Sequence, residues 1–276
     1  SGIDLSIGSV VCLVGVGLPL LLTQYSLPLP IALCAVALGA LTIGAAHGLL
    51  ITRLRIQPFV VTLCGLLIYR GIARGITRDQ TMGFGNGFKE LRWMATAKIP
   101  VPFTDGFGIP FPCMILLLVA VAAAVFLNQT VWGRHLMALG RNEDAARYSG
   151  IQTGRLIILA YVISAAMAAL GGMLFVLDVN SAQPADFGNF YELYAIAAAV
   201  LGGCSLRGGQ GMITGVILGT ALMQVLRTMI TLVDALPKTI EFAIIGAVIL
   251  GGVVTDEVVK RWAANRKAAR QLETQG

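Results

Sequence analysis

The chain has 276 residues, of which 57% are hydrophobic and 12% charged, and its mean hydropathy is +0.81. Soluble domains of this size cover themselves with about a quarter charged residues, so these values exclude a soluble enzyme, a disordered chain and a nucleic-acid-binding module. The formal net charge of +6 comes from 20 basic and 14 acidic residues, and most of the basic residues lie between apolar runs. This pattern predicts a multi-pass membrane protein.

Eight apolar stretches approach the length of about 20 residues that a helix needs to cross a membrane. Their predicted bounds are 10–23, 28–51, 56–69, 111–127, 156–177, 193–206, 212–233 and 237–254. The stretch 193–206 runs into Gly202 and Gly203, which predicts a broken or re-entrant helix. The predicted fold class is an all-α transmembrane helical bundle with about seven or eight spans. Residues 1–255 form its membrane domain, and 256–276 form a cytoplasmic tail.

Basic residues in short loops predict the orientation of the chain. The turn at 53–55, the loop at 128–155 and the tail at 256–276 are all basic, and alternating spans place them on one side, the cytoplasm. The loop at 178–186, which carries acidic residues, then lies on the opposite side. The loop at 70–110 also falls there, although it is basic, and its length predicts a small compact structure of its own.

Two predicted spans carry small residues at four-residue spacing. The residues are Ala40, Gly44 and Gly48 in one span, and Gly211, Gly215 and Gly219 in another. In a membrane this spacing lets two helix backbones approach closely. We predict that these residues pack the bundle; a helix face that slides during gating is the alternative.

The first residues are polar although they lead into an apolar run. Asp4 and Ser6 are flanked by glycine and serine, and a carboxylate facing hydrocarbon would be costly. Either these side chains cap the following helix, where an acid also suits the helix dipole, or they line a polar passage. The two interpretations are compatible.

The loop at 140–150 is polar and is predicted to form a short helix. Asn142 is a candidate N-cap followed by two acidic residues, and Gly150 is a candidate stop. The helix presents a small face, Ala145 and Ala146, which would fit a groove on a partner. A solvated loop helix is the alternative.

Three motifs in these regions resemble those of one family. Gly2-Ile-Asp-Leu-Ser-Ile-Gly-Ser9 resembles the G-I-D-L-S-V-G-S signature of permease subunits of bacterial monosaccharide ABC importers of the ribose type. The run from Leu139 to Ile151 resembles the cytoplasmic loop of that family, G-x-N-x-x-A-A-x-x-S-G-I. The run beginning at Tyr191 resembles Y-E-L-D-A-I-A-A-V-V-L-G-G, with Tyr194 in place of the acid. The resemblance covers essentially the whole chain.

The resemblance implies a multi-pass permease of the bacterial inner membrane, from which the N-terminal helices of the family are expected to be missing. It implies a second permease subunit, two cytoplasmic ABC ATPase subunits and a periplasmic or extracellular sugar-binding protein as partners. The loop corresponds to the coupling helix that docks on the ATPase. The residues matching that pattern are Gly140, Asn142, Ala145, Ala146, Ser149 and Gly150. Asp4 and Ser6 are the candidates for the translocation path.

No Gly-Lys dipeptide occurs in the chain, so it has no P-loop. The expectation is a non-enzymatic subunit without cofactors, with ATP and Mg²⁺ bound by the partner ATPase. The widely spaced cysteines suggest neither disulfides nor a metal site. Two alternatives remain: an ion-coupled secondary carrier, for which Glu192 and Glu241 are the best ionisable candidates, and an intramembrane enzyme, for which His47 lacks a G-x-S-x-G partner. Ribose, xylose, galactose and related solutes all remain open, as does whether the second permease is a copy or a paralogue.

Overall fold

The computed structural model describes residues 2–100, 108–206 and 208–232, with isolated positions at 243–244, 246–247, 250–251 and 254. The helices are α1 (Ile7–Pro19, extended by a π-helical turn at Leu20–Gln24), α2 (Leu29–Arg53), α3 (Pro58–Thr77), α4 (Lys89–Thr96), α5 (Phe111–Gln129), α6 (Val131–Arg141), α7 (Glu143–Tyr148), α8 (Thr153–Val179), α9 (Tyr191–Leu201) and α10 (Ile213–Leu232). The strands are β1 (Met82–Gly83), β2 (Lys98–Pro100), β3 (Gly108–Pro110) and β4 (Ser181–Ala182).

Within the described residues, six helices are long and apolar enough to cross a membrane: α1 with its π-helical turn, α2, α3, α5, α8 and α10. They coincide with six of the eight predicted spans, so the all-α membrane fold is confirmed. The predicted stretch 193–206 contains most of α9, an 11-residue helix that ends before Gly202 and Gly203. The stretch 237–254 lies almost wholly outside the described residues, and the tail at 256–276 lies entirely outside them.

Proline and left-handed residues set the helix ends. Pro28, Pro58 and Pro110 lie at or just before the starts of α2, α3 and α5, where a fixed φ and a missing N–H cost nothing. Arg78 and Asn180 end α3 and α8 with φ of 53° and 65°, the left-handed conformation that terminates a helix. The sequence therefore sets these boundaries locally.

The chain forms two compact units: residues 1–193 with 207–209, and residues 194–206 with 210–276. In the first unit α8 packs against α1 and α2, and α1 packs against α3. Gly44 and Gly48 lie where α2 meets α8. A Cβ on Gly44 would lie 2.6 Å from the Tyr161 carbonyl oxygen, and one on Gly48 would lie 2.5 Å from the Cα of Ile158. Only glycine allows these backbones to come so close.

In the second unit the other small-residue stripe lies on and just before α10. It consists of Gly211, Gly215 and Gly219. A Cβ on Gly215 would collide with the carbonyl oxygen of Gly202, and one on Gly219 with that of Ala198. A Cβ on Gly211 would lie 2.7 Å from the Cys204 sulfur. The stripe thus faces α9 and the loop that follows it.

Two features of the first unit confirm which loops share a side. β1 pairs antiparallel with β4, so the loop between α3 and α5 joins the loop after α8; we call this the outer side. At the opposite, inner side, a cleft of about 510 Å³ is lined by residues of the α2–α3 turn and of α7, including Arg55, Glu143 and Arg147. The outer loop contains α4 and the β2–β3 hairpin, the compact structure that its length predicts.

Candidate functional site

The inner loop between α5 and α8 folds into two short helices, α6 and α7. Asn142 separates them with an extended backbone at φ −160°, and its side-chain oxygen accepts a hydrogen bond from the Ala145 N–H at 3.0 Å. This confirms the predicted N-cap, and the predicted acidic first turn follows it. Gly150 follows the C-cap residue Ser149 with φ +82°, the left-handed position that ends a helix, so the predicted stop is also confirmed.

The two alanines of α7 face different environments. Ala145 is exposed, whereas Ala146 is only 4% exposed because it is turned toward its own chain. The prediction that both form one outward face is therefore wrong. The outward aromatic residue of α7 is Tyr148, which is 91% exposed. Sequence reasoning missed Tyr148, and the available signal was a lone aromatic side chain in an otherwise polar loop.

Gly140 is half-buried and packs against another loop of the same unit. A Cβ on Gly140 would collide with the backbone of Gly209, and Gly208 and Gly209 both have positive φ. The Arg141 Nε donates a hydrogen bond to the Gly209 carbonyl oxygen at 3.3 Å. Ser149, by contrast, is exposed, and its hydroxyl donates to the Ala145 carbonyl oxygen at 2.9 Å. Of the residues predicted for the ATPase contact, Gly140 and Ala146 thus serve internal packing.

Asp4 joins the first residues of the chain to α8. One carboxylate oxygen accepts hydrogen bonds from the Ser6 N–H at 2.9 Å and hydroxyl at 2.7 Å, and the other accepts from the Ser164 hydroxyl at 2.7 Å. Ser6 occupies the N-cap position of α1, but its side chain accepts no hydrogen bond from the first turn. The capping interpretation is therefore wrong for the Ser6 side chain. Asp4 accepts from the backbone N–H of the N-cap residue itself, so its role at the start of α1, as a cap or on a polar passage, stays a prediction. Asp4 is half-buried, whereas Ser6 is 1% exposed.

A polar cluster surrounds this segment within the bundle. His47 is buried, and its Nε2 lies 2.9 Å from the Tyr69 hydroxyl, so the prediction that it is packed rather than catalytic is consistent with its surroundings. The Thr62 hydroxyl donates to the carbonyl oxygen of Ile3 at 3.1 Å. The buried hydroxyl of Tyr161 makes no hydrogen bond within the described part of the chain. No periodic pattern predicts this cluster, because its members come from separate parts of the chain.

Glu192 lies in the first turn of α9, near the helix end, as the sequence predicted. It is buried at the start of α9, where its carboxylate lies against Gly8, and Arg70 is close enough to act on it electrostatically. Burial penalises the charge of this acid, and Arg70 and the backbone groups of Gly8 and Glu192 offset part of that penalty. Glu241 lies outside the described residues.

Across residues 2–100, 108–206 and 208–232, no group of three or more histidine, cysteine, aspartate or glutamate side chains could hold a metal ion. The polar features of the described chain are instead hydrogen-bonded clusters and an exposed inner helix. Such an arrangement can bind a solute, let it pass, or transmit a movement from a partner.

Known proteins similar to this chain are permeases. The family described as "Branched-chain amino acid transport system / permease component" matches residues 1–254. The ribose import permease protein RbsC of Escherichia coli (strain K12) is 37% identical over 225 residues, which cover 81% of this chain and 67% of that protein. The fructose import permease protein FruF of Bifidobacterium longum (strain NCC 2705) is 32% identical over 279 residues, covering 100% and 76%. The xylose transport system permease protein XylH of Escherichia coli (strain K12) is 29% identical over 311 positions, covering 94% and 79%. No solved structure matches the chain.

Proposed function

The chain belongs to the family of branched-chain amino acid transport system permease components, and on that premise we propose that it is the membrane subunit of an ATP-driven importer of monosaccharides. It is a multi-pass permease of the bacterial inner membrane and not an enzyme. The observation that carries the proposal is the match to permeases named for ribose, fructose and xylose over most of the chain. The six membrane-crossing helices support it.

The solute is the first part of the proposal that can be tested. The family description names branched-chain amino acids, whereas the relatives are named for polyhydroxylated sugars. We expect unlabelled monosaccharides to compete with one another for uptake through the assembled importer, and leucine to have no effect. Competition by leucine but by no monosaccharide would contradict the proposed solute class.

ATP hydrolysis is assigned to a partner chain. The chain has no Gly-Lys dipeptide and hence no P-loop to hold the phosphates of a nucleotide. We infer that ATP and Mg²⁺ bind to a separate ATPase, two copies of which would act on the inner side. Each conformational state of the ATPase would bind the inward-open and outward-open forms of the permease with different affinity. ATP binding and hydrolysis would in this way shift the permease from one form to the other.

A second permease subunit and an external sugar-binding protein complete the proposed complex. Ala120 is the only buried residue of α5, so the rest of this apolar helix is available to lipid or to the second subunit. The second subunit is either a copy of this chain or a paralogue, and either would pack beside this helix. The binding protein would supply most of the sugar recognition, so that the permease can release its solute.

The docking surface for the ATPase is proposed to be the outward face of α7. Ala145 and Tyr148 are exposed there, and Glu143 and Arg147 form an exposed ion pair at 3.4 Å beside them. A short capped helix with one protruding aromatic ring is the kind of shape that fits a groove, and aromatic anchors often carry much of the binding energy. Asn142 contributes by holding this helix in place.

The test of the docking surface compares substitutions on the outward face of α7 with one on the outer side of the molecule. Ala145→Arg and Tyr148→Ala should leave folded permease unchanged but weaken co-purification of the ATPase and lower uptake, by about tenfold or more if Tyr148 is an anchor. Thr96→Arg, on the exposed outer helix α4, is the matched control and should change neither. Normal ATPase binding and uptake in both α7 variants would reject the docking assignment.

A further inference from the structure

The chain between α8 and α9 turns back into the bundle. We call residues 183–190 the re-entrant segment. The Phe187 carbonyl oxygen accepts a hydrogen bond from the Arg70 guanidinium at 2.7 Å, and Arg70 lies seven residues, or about 10 Å, from the outer end of α3. Gly188 reaches α1, where a Cβ on it would lie 2.6 Å from the Gly8 carbonyl oxygen. The segment therefore descends well below the outer helix ends.

One side of the re-entrant segment is fixed to the bundle. The Pro184 carbonyl oxygen accepts from the Cys12 thiol at 3.4 Å and from Arg70 at 3.1 Å. The Phe187 ring is buried and stacks on Phe175, with ring centroids 4.4 Å apart. Non-helical backbone at this depth needs partners for its carbonyl groups, and Arg70 supplies them for two.

The other side of the segment is exposed and carries its polar side chains, beside the exposed Ala185 and Phe190. Asp186 and Asn189 flank the buried pair Phe187 and Gly188, and both are exposed. Gln183 continues this face toward the outer surface, where its side chain contacts Thr81. A carboxylate and an amide directed into hydrocarbon would be costly, and such side chains normally face a water-filled cavity or another protein.

We propose that the re-entrant segment lines the solute path and that Asp186 and Asn189 bind the hydroxyl groups of the passing sugar. This inference rests on the proposed function. A carboxylate accepts hydrogen bonds from hydroxyl groups, and an amide both accepts and donates, which suits a polyhydroxylated solute. Two such groups on an irregular backbone would bind the sugar with low affinity. Low affinity suits a transport path, because the solute must be able to leave it. Arg70 acts as a positioning residue because it holds the two carbonyl groups behind this face.

Cysteine labelling in the complete importer tests the assignment. Asp186→Cys and Asn189→Cys are introduced separately into a chain whose five native cysteines have been replaced, and the importer is reconstituted with its ATPase and binding protein in vesicles. A charged, membrane-impermeant thiosulfonate reagent should label both cysteines, block uptake and react several-fold more slowly when the transported sugar is present. Val179→Cys, at the exposed apolar end of α8, is the control and should show no protection by sugar.

Two results would overturn the inference. One is failure of the reagent to reach either cysteine, which would mean that lipid or a partner subunit covers this face; the other is labelling that leaves uptake unchanged and is not slowed by sugar. A second variant, Asn189→Ala, should raise the KM for uptake by about two- to tenfold, the loss of one hydrogen bond, at unchanged folded yield. If instead the unsubstituted importer shows no ATP-driven sugar uptake in the same vesicles, the proposed function itself fails.

Discussion

The close approach of α2 and α8 depends on a missing side chain at Gly44. Its hypothetical Cβ meets backbone atoms of Tyr161 and Val162, which belong to a helix and cannot move aside as a flexible side chain would. In a membrane such close contact replaces the hydrophobic effect as the source of helix association. The sequence predicted this role from spacing alone, since small residues every four positions form one helix face.

We expect Gly44→Ala to lower the free energy of unfolding by about 1–3 kcal/mol because α2 and α8 must separate to admit the methyl group. Gly39→Ala on the same helix is the control, because nothing lies within 4 Å of a Cβ there. That variant should be neutral or slightly stabilising, by up to about 1 kcal/mol, since alanine favours the helix. Thermal unfolding in lipid nanodiscs measures both. Equal midpoints for the two variants would contradict the packing argument.

Asp4 illustrates a residue whose type was informative but whose partners were not predictable. A polar acid before an apolar run indicates a cap or a passage, yet the carboxylate binds Ser6 beside it and Ser164, which lies 160 residues further along the chain. Only the packing of α1 against α8 brings that second serine near. The sequence could therefore predict that Asp4 avoids lipid, but not which hydrogen bonds it makes.

Asp4→Ala should reduce folded protein and uptake together, because three donors lose a charged acceptor, and each hydrogen bond to a charged group contributes about 1.5–3 kcal/mol. Ser164→Ala removes one of these hydrogen bonds and should cause a smaller loss of both. Folded yield by size-exclusion chromatography is compared with the initial rate of uptake. A fall in uptake at unchanged yield would favour a position on the path instead.

At the scale of elements, α7 depends on its cap more than on its own length. Six residues form too short a helix to be stable alone, so the hydrogen bond that the Asn142 side chain accepts from the Ala145 N–H and the packing of Ala146 must hold it. The sequence predicted the cap because asparagine before two acids is typical of a helix start. It could not predict which alanine faces inward, because adjacent alanines are equal in size and polarity. The packing of the loop against the rest of the chain determines which of the two is buried.

Asn142→Ala should cost about 1 kcal/mol of local stability and let α7 fray, whereas Asn142→Ser should retain most of the cap. Hydrogen–deuterium exchange of residues 143–148 measures the fraying directly. The expected functional result is a lower rate of uptake per ATP hydrolysed in the alanine variant. Unchanged exchange in that variant would contradict the role of the cap.

The re-entrant segment depends on Arg70 in a comparable way. Arg70→Met should free the carbonyl oxygens of Pro184 and Phe187 and increase hydrogen–deuterium exchange across the segment, since hydrogen bonds from a charged group contribute about 1.5–3 kcal/mol each. Sugar uptake should fall as the segment loses these hydrogen bonds. Arg74→Met, one turn further along α3, is the matched control.

The control is expected to have little effect because Arg74 contacts an exposed partner. Its guanidinium donates hydrogen bonds to Asp79 and thereby lowers the pKa of that carboxyl group, but both side chains are largely exposed. Exposed ion pairs contribute little to stability. An increase in exchange equal in the two variants would show that loss of positive charge alone, and not the hydrogen bonds of Arg70, disturbs the segment.

On the scale of the whole molecule, composition and periodicity predicted the membrane fold and the side on which most loops lie. The long apolar stretches correspond to helices because a span of about 20 apolar residues has few other stable structures in a membrane. The re-entrant segment escaped prediction because its buried residues, such as Phe187, alternate with polar ones and look like a surface loop. Its depth becomes apparent only from its contacts with Arg70 and Gly8.

The central claim is that this permease moves solute only when a separate ATPase drives it. The most direct measurement is sugar uptake by proteoliposomes that contain the permease with its second subunit, with or without the ATPase and binding protein, energised either by ATP or by a proton or sodium gradient. The account predicts uptake with ATP in the complete complex alone, and none with an ion gradient. Gradient-driven uptake by the permease without the ATPase would contradict it.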